Sequence, residues 1–298
     1  MNKIIECVPN FSEGRDREKI EKIADCFRAK PGVKLLDYSG DVDHNRSVIT
    51  VAGEPEAIKN AMIEAIGKAV ELIDLTKQNG QHPRMGAVDV VPFIPIKNML
   101  MDEAIALSMN VAKEAAERFN IPVFLYDASA TAKHRMNLAD VRRGEFEGLS
   151  EKMRLPEWKS DYGPSTPHPT AGAVAMGARK PLIAYNINLS TDNIKIADAI
   201  AKKVRHSSGG LRYCKAIGVE LKARGVAQVS MNITDYTKTS LYSVHEMVRM
   251  EAKRYGVSII GSEVIGLVPM EALAESAAYY LGIENFSMNQ VLESKLFE

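Results

Sequence analysis

The segment LIAYNINLS, at residues 182–190, decides the fold because it begins the same order of strands and helices a second time. Its apolar, β-branched and aromatic residues are typical of a strand. The sequence YNINLST (185–191) resembles VPNFSE (8–13), and VIGLVP (264–269) resembles VVPFIP (90–95). The chain therefore contains a weak internal duplication.

Each half of the chain follows the order strand, helix, strand, strand, helix, strand. In the first half we predict strands at 4–8, 33–38, 47–53 and 88–95, and helices around 20–27 and 55–73. In the second half we predict strands at 182–190, 214–221, 227–234 and 257–269, and helices around 194–204 and 239–255. Apolar residues recur at helical spacing in the helices, and apolar and polar residues alternate along 227–234.

This βαββαβ order is that of ferredoxin-like units. We therefore predict an α/β (α+β) fold of two ferredoxin-like βαββαβ subdomains packed side by side, residues 1–181 and 182–298, with a ligand groove between them. Such a groove is a natural place for an extended ligand. An insertion over residues 98–180 is expected to add a helix at 101–119, a strand at 122–127 and an irregular segment.

The composition is that of an ordinary globular protein and argues against several classes of function. The 298 residues are 46% apolar and 26% charged, with 38 basic and 38 acidic side chains. This balance favours neither nucleic acid nor a membrane surface, and no stretch approaches the ~20 apolar residues of a membrane span. The N-terminal sequence lacks the apolar run of a signal peptide, and the three cysteines are widely spaced. We therefore expect a cytoplasmic protein with no metal site and no nucleic-acid or membrane partner.

His82 is the strongest candidate for a catalytic residue. It lies in the polar segment NGQHPRMG (79–86), immediately before the predicted strand at 88–95, with Arg84 and Asp89 near it in the sequence. Imidazole titrates near physiological pH, so a positioned histidine can take and return a proton in one turnover. The spacing alone supports a loop histidine without a role equally well.

Two other histidines lie in loops. His44 belongs to DVDHNRS, where a turn built by Asp43 and Asn45 is as well supported as a ligand role. His168 lies in the proline-rich segment PSTPHPT, a kind of loop that often carries function. The segment GAVAMGARK (172–180) resembles a phosphate loop but lacks its Lys-Ser/Thr pair, so we expect no mononucleotide site there. The longer segment 163–180 is rich in glycine, and we expect the backbone near Gly163, Gly172 and Gly177 to approach a flat ligand closely.

Several blocks of the chain, taken in order, resemble the glutamate formiminotransferases. The blocks are IIECVPNFSEGR, NRSV, GQHPRMGAVDVVPFIP, the segment from GP (163–164) to GARK (177–180), AYNINLS and GSEVIGLVP. They cover nearly the whole chain and also resemble the amino-terminal half of the bifunctional formiminotransferase-cyclodeaminases. There is no room for the helical cyclodeaminase half, so the resemblance implies a monofunctional enzyme.

The resemblance implies transfer of the formimino group of N-formimino-L-glutamate to N5 of tetrahydrofolate. The products would be L-glutamate and 5-formiminotetrahydrofolate, as a step of histidine degradation. Tetrahydrofolate, including its polyglutamyl forms, would be a co-substrate. The family's catalytic histidine falls on His82, and a homodimer is expected by analogy.

The family's folate-binding segment falls on residues 163–172. Its members here are Gly163, Pro164, Ser165, Thr166, Pro167, His168, Pro169, Thr170, Ala171 and Gly172. The interior, TPHPTA (166–171), replaces a more apolar, aromatic stretch of the vertebrate members, while the flanking blocks match. The resemblance therefore implies the location of the folate site without its individual side-chain contacts.

Charged residues around His82 supply a substrate-binding hypothesis. We expect Arg46 and Arg84 to bind substrate carboxylates, because a planar guanidinium pairs with a carboxylate through two hydrogen bonds. Either Asp43 or Asp89 would steady the formimino group or His82, and Asn45 is included in the same set. Two other functions remain open: a formyltransferase using N-formylglutamate or a formyl-folate, and a folate-binding protein without turnover.

Overall fold

The computed structural model describes residues 3–80 and 82–296. The chain divides into two units, Met1–Arg179 (unit 1) and Lys180–Glu298 (unit 2), and each has its own sheet and hydrophobic core. The boundary predicted from the sequence, after residue 181, lies two residues later. No helix within the described residues is both long and apolar enough to cross a membrane.

Unit 1 contains seven of the strands and five of the α-helices in the described residues. The strands are β1 (Ile4–Cys7), β2 (Asn10–Phe11), β3 (Val33–Asp41), β4 (Arg46–Gly53), β5 (Val88–Lys97), β6 (Val123–Leu125) and β7 (Val174–Ala178). The helices are α1 (Arg17–Ala24), α2 (Pro55–Leu72), α3 (Met101–Phe119), α4 (Leu138–Arg142) and α5 (Glu145–Lys152). Asp16 caps α1 by accepting from the backbone of Glu18 and Lys19, and Pro55 occupies the first turn of α2.

The sheet of unit 1 has a ferredoxin-like centre with a parallel extension. Strands β1 and β2 act as one central strand, because each pairs antiparallel with both β4 and β5, while β3 pairs with the outer side of β4. Helices α1, α2 and α3 contribute to the core on one face of the sheet, and α4 and α5 pack against the other face. Strands β7 and β6 continue the sheet beyond β5 in parallel orientation.

Unit 2 repeats the central arrangement without that extension. Its elements are β8 (Ile183–Leu189), α6 (Ile194–Val204), β9 (Cys214–Leu221), β10 (Val226–Ile233), α7 (Leu241–Arg254), β11 (Ile259–Ile265), α8 (Met270–Leu281) and α9 (Leu292–Leu296). The antiparallel sheet has the order β11-β8-β10-β9, which places the fourth strand beside the first as in unit 1. The predicted class, two α/β subdomains of βαββαβ order, is confirmed.

The segment before the boundary differs from the sequence prediction. The glycine-rich segment 163–180, expected to approach a ligand, contains the strand β7 near its end, and this strand is buried along its whole length between β5 and β6. A strand covered on both faces lacks the alternation that reveals half-buried strands. A Cβ added at Gly177 would lie 2.2 Å from the Tyr126 carbonyl oxygen, so this glycine permits close strand packing instead. The segment expected to be irregular also contains α4 and α5.

A β-bulge recurs at the same place in both units. In unit 1, Asn10 pairs with Val90 and Phe11 with Val88, which leaves Asp89 as an extra residue in β5. In unit 2, Asn188 pairs with Gly261 and Leu189 with Ile259, which leaves Ile260 as an extra residue in β11. Bulges bend a strand and redirect its side chains, and they are frequent beside active sites.

Candidate active site

The loop before β5 brings His82 against Arg46, the first residue of β4. His82 is half-buried, and its Nδ1 lies 2.8 Å from Arg46 Nη1 and 2.7 Å from the carbonyl oxygen of Pro83. The His44 ring lies edge-on to His82 at a centroid distance of 6.2 Å. Two stretches far apart in the sequence, NRSV and GQHPRMG, therefore meet at one site.

Arg46 joins His82 to Asp89, the bulge residue of β5. Arg46 Nη1 donates to Asp89 Oδ2 at 2.9 Å, and Arg46 Nε donates to Asn10 Oδ1 at 2.9 Å. The Asp89 side chain is only 1% exposed, and its Oδ1 accepts from the Met85 backbone N–H at 3.0 Å. The carboxylate is thus occupied by protein donors, and it acts on His82 through Arg46.

Arg142, which the sequence reasoning missed, completes this network. It lies at the end of α4, and its Nη2 donates to the same Asp89 oxygen that accepts from Arg46. In the sequence it stands next to Arg143 in a polar stretch that is equally typical of a solvated surface. Two guanidinium groups and one carboxylate leave a net local charge of +1 beside His82, which favours an anionic ligand.

Burial and the positive charges around His82 keep its ring neutral. Burial lowers the pKa of His82 to about 4, with the Arg46 and Arg142 charges acting in the same direction and Asp89 opposing them. Burial alone would raise the pKa of Asp89, but Arg142 and Arg46 outweigh it and hold that pKa below its usual range. The pKa of His82 in this site is therefore lower than that of a free histidine, which is about 6.5.

Arg84 has partners within the protein that occupy its guanidinium. Its Nη2 donates to Glu147 Oε1 and to the Gln78 carbonyl oxygen, both at 2.8 Å, and its Nη1 lies 3.3 Å from Glu145 Oε2. The side chain is 10% exposed. These contacts fasten the loop before β5 to α5, so the geometry gives Arg84 a structural role and does not favour it as a substrate carboxylate ligand.

The loop between β3 and β4 supports the site chiefly through Asn45. This residue is buried with a φ of +48°, and its side chain accepts from the Gly14 N–H at 3.0 Å and donates to the Asn79 carbonyl at 3.1 Å. His44 pairs with Asp41 at 3.0 Å. Asp43 is exposed. Asp41 and Asn45 therefore shape this turn, and Asp43 is the member of the predicted set that is open to solvent.

Residues 163–172, the predicted folate-binding segment, end against the residues between His82 and β5. His168 Nδ1 accepts from the Ala171 N–H at 3.0 Å, and the backbones of His168 and Gly172 exchange two hydrogen bonds. The Ala87 N–H then donates to the Ala171 carbonyl at 2.9 Å. His168 thus closes a turn, while Gly163, Ser165, Thr166 and Pro169 are exposed.

No group of three or more His, Cys, Asp or Glu side chains among residues 3–80 and 82–296 is arranged to hold a metal ion. Burial raises the pKa of each of the three cysteine thiols, and all three are free. The thiolate is the reactive form of cysteine, and a raised pKa disfavours it. The raised pKa values therefore do not favour any of the three cysteines as a nucleophile.

Two models of protein families match the chain, one on each unit. Residues 4–179 match the N-terminal subdomain of the formiminotransferase domain, and residues 184–296 match the formiminotransferase domain model that follows it. The chain belongs to the formiminotransferase family. Both units of this formiminotransferase chain are thus covered, with the boundary between the two matches at the boundary between the two units.

Curated relatives extend the match over the full length. This formiminotransferase chain is 52% identical over 297 residues to a glutamate formimidoyltransferase of Streptococcus pyogenes serotype M1, covering 99% of both chains. It is 43% identical over 295 residues to the enzyme of that name from Thermoplasma acidophilum, covering 98% of this chain and 97% of the relative. A formimidoyltransferase-cyclodeaminase of Dictyostelium discoideum is 41% identical over 303 residues, where 99% of this chain covers 56% of the relative.

Proposed function

We propose that the chain is a glutamate formimidoyltransferase that transfers the formimino group of N-formimino-L-glutamate to N5 of tetrahydrofolate. The proposal is supported by the full-length similarity to enzymes of that name. The observation that carries the chemistry is the neutral His82, held by Arg46 in a site with a net local charge of +1. Both substrates bear carboxylates, and such a site attracts them.

His82 moves one proton through the reaction. N5 of tetrahydrofolate attacks the carbon of the protonated formimino group: a new C–N bond forms, the C=N π pair moves onto the imino nitrogen, and the N5 proton passes to the ring. The C=N bond of the adduct then re-forms as the bond to the glutamate nitrogen breaks, and that nitrogen receives the proton from the ring and leaves as the amine. One histidine serves as base and then as acid, so protons balance over the turnover.

The tautomer of His82 decides which ring nitrogen reacts. A ring that carries its proton on Nδ1 donates it to the Pro83 carbonyl, 2.7 Å away, and leaves the Nε2 lone pair free to act as base. When Nε2 takes the N5 proton, Nδ1 keeps its own proton and its hydrogen bond to Pro83, and Nε2 of this imidazolium then gives its proton to the leaving amine. The other tautomer, which accepts from Arg46 at Nδ1, carries its proton on Nε2 and has no lone pair there to act as base.

The remaining predicted residues divide between support and binding. Asp89 holds Arg46 and Arg142 and thereby positions His82, since its oxygens already accept from protein donors. Of the two candidate carboxylates, Asp43 is exposed, and we propose that it contacts the formimino group. The exposed residues of the segment 163–172 are proposed to contact the folate, as the family resemblance implies. The homodimer and the cytoplasmic location remain predictions, the first testable by equilibrium sedimentation.

The test is a turnover assay with N-formiminoglutamate or N-formylglutamate as donor and tetrahydrofolate as acceptor. We expect formimino transfer, and replacement of His82 by Ala should lower kcat by about 10²–10⁴-fold with folate affinity little changed. His44→Ala is the matched control, because it removes the neighbouring ring without removing the proposed base. Turnover with formylglutamate alone would support the formyltransferase instead. Near-native turnover by a folded His82→Ala variant would contradict the proposal.

A further inference from the structure

Unit 2 carries a second cluster of polar side chains, on the sheet face opposite to α6 and α7. Alternate residues of β8, such as Tyr185 and Ile187, belong to the core that these helices cover. Asn186 therefore projects from the other face, since successive side chains of a strand point to opposite sides. Its partner across the strands is Glu263 of β11, and Gln228 of β10 pairs with Asn188 in the next row.

These side chains hold Glu263 in one orientation. Gln228 Nε2 donates to Glu263 Oε1 at 2.7 Å and to Asn188 Oδ1 at 2.9 Å, and Asn186 Nδ2 lies 3.4 Å from the same Glu263 oxygen. The three amide residues are buried, with 3–9% of each exposed. Among the residues described, none donates a hydrogen bond to the second oxygen, Oε2. The carboxylate is thus oriented through one oxygen and can accept at the other.

Glu263 also differs from Asp89 in its charge environment. Asp89 pairs with two arginines, whereas no Lys, Arg or His of the described residues forms an ion pair with Glu263. A half-buried carboxylate without a cation is costly unless it receives strong hydrogen-bond donors. The cluster therefore favours a ligand that presents N–H groups.

The neighbouring backbone leaves space for such a ligand. Gly261 stands opposite Asn188, two residues before Glu263 and beside the bulge at Ile260. A Cβ added at Gly261 would meet no heavy atom within 4 Å. Open space at Gly261 thus lies near the oriented carboxylate, on the same strand.

We propose that Glu263, oriented by Gln228 and Asn186, binds the 2-amino-4-oxopyrimidine edge of a reduced pterin. This edge has two adjacent donors, the ring N3–H and the exocyclic 2-amino group, and the open oxygen Oε2 can accept from them while Oε1 stays bonded to Gln228. The inference deepens the proposed function and rests on it for the choice of a pterin among planar N–H donors. It also gives a ligand-binding role to the blocks AYNINLS and GSEVIGLVP, which contain no residue of the site around His82.

The test measures binding by calorimetry with 5-formyltetrahydrofolate and the full chain. Glu263→Gln keeps the shape of the side chain but replaces one acceptor oxygen by a donor, so the dissociation constant should rise about 10- to 100-fold. Glu220→Gln is the matched control: it removes the same charge from the same sheet, from an exposed site on β9 facing the helix side, and should change affinity less than about twofold. A 2-desamino analogue should bind the natural chain more weakly than 5-formyltetrahydrofolate does. With Glu263→Gln the affinities of the two ligands should differ little, because the carboxylate that accepts from the 2-amino group is gone.

Normal affinity of a folded Glu263→Gln variant would overturn the inference. Should that variant unfold, Gly261→Leu fills the open space near the carboxylate, and unchanged affinity in this variant would overturn it as well. The binding assay is independent of turnover. If the natural chain binds the folate through Glu263 but transfers no formimino group, the proposed function fails and the pterin site stands. If it transfers the group while Glu263→Gln binds normally, only the pterin site fails.

Discussion

At the level of single residues, burial lowers the pKa of His82, and two arginines that share the carboxylate of Asp89 lower it further. Arg46 contacts the ring directly, whereas Arg142 reaches it only through Asp89. We expect the acid limb of kcat/KM to lie near pH 4, well below the range of a free histidine, because that profile reports the free enzyme. Below this limb the ring is protonated and no longer accepts the N5 proton.

Arg142→Gln should shift this limb to higher pH. Removing a positive charge favours the protonated ring and leaves Asp89 with one arginine fewer, and both effects raise the pKa of His82. The measurement is the pH dependence of kcat/KM for the natural chain and the variant. Arg143→Gln is the control, because its side chain is 79% exposed and pairs with Asp140. An unshifted limb in Arg142→Gln would show that Arg142 does not act on His82.

The lowered pKa of His82 also predicts that the free energy of unfolding decreases at acid pH. Because the pKa of His82 is lower in the folded chain than in the unfolded chain, the unfolded state binds more protons between pH 6.5 and 4. The stability linked to His82 is therefore present above pH 6.5 and declines as the pH falls through that window. Because asparagine does not titrate, the Tm of the natural chain should fall relative to the Tm of His82→Asn as the pH is lowered from 7 to 4.5. A constant difference would contradict the lowered pKa.

At the level of elements, Gly172 ties the predicted folate segment to the loop that carries His82. Its φ is +66°, and a Cβ there would lie 2.1 Å from the Met85 carbonyl oxygen. Gly172→Ala should therefore lower the free energy of unfolding by about 1–3 kcal/mol, as seen by denaturant titration. Gly148→Ala is the control: it lies within α5 with nothing within 4 Å of an added Cβ, so it should be neutral or stabilising.

The elements also show what the sequence could predict. Strands with alternating residues and helices with one apolar face were predictable. The sequence also singled out His82 as a candidate, because it is a polar histidine in a loop shortly before an apolar strand. Strand β7 was not, because burial on both faces removes the alternation. Arg142 was not, because its contact with Asp89 spans 53 residues and depends on how α4 packs. Arg84 was predicted as a ligand from its residue type alone, which says nothing about the glutamates of α5.

At the level of the whole molecule, each unit has its own core and a contiguous segment of chain. The core of unit 2 is formed by β8–β11 with α6, α7 and α8. We expect the fragment 180–298 to fold when expressed alone, with cooperative thermal unfolding by circular dichroism. It should show no formimino transfer, because His82, Arg46 and Arg142 belong to unit 1. A fragment without cooperative unfolding would show that unit 2 depends on unit 1.

The bulge shared by the two units bears on how the site evolved. In both units the extra residue lies at the equivalent position, between two residue pairs that join β2 to β5 in unit 1 and β8 to β11 in unit 2. It is the buried Asp89 in unit 1 and Ile260, 53% exposed, in unit 2. A single ancestral half that already had this kinked backbone accounts for both copies after gene duplication. One copy could then acquire its reactive centre by exchanging side chains, and no new main-chain conformation had to be invented.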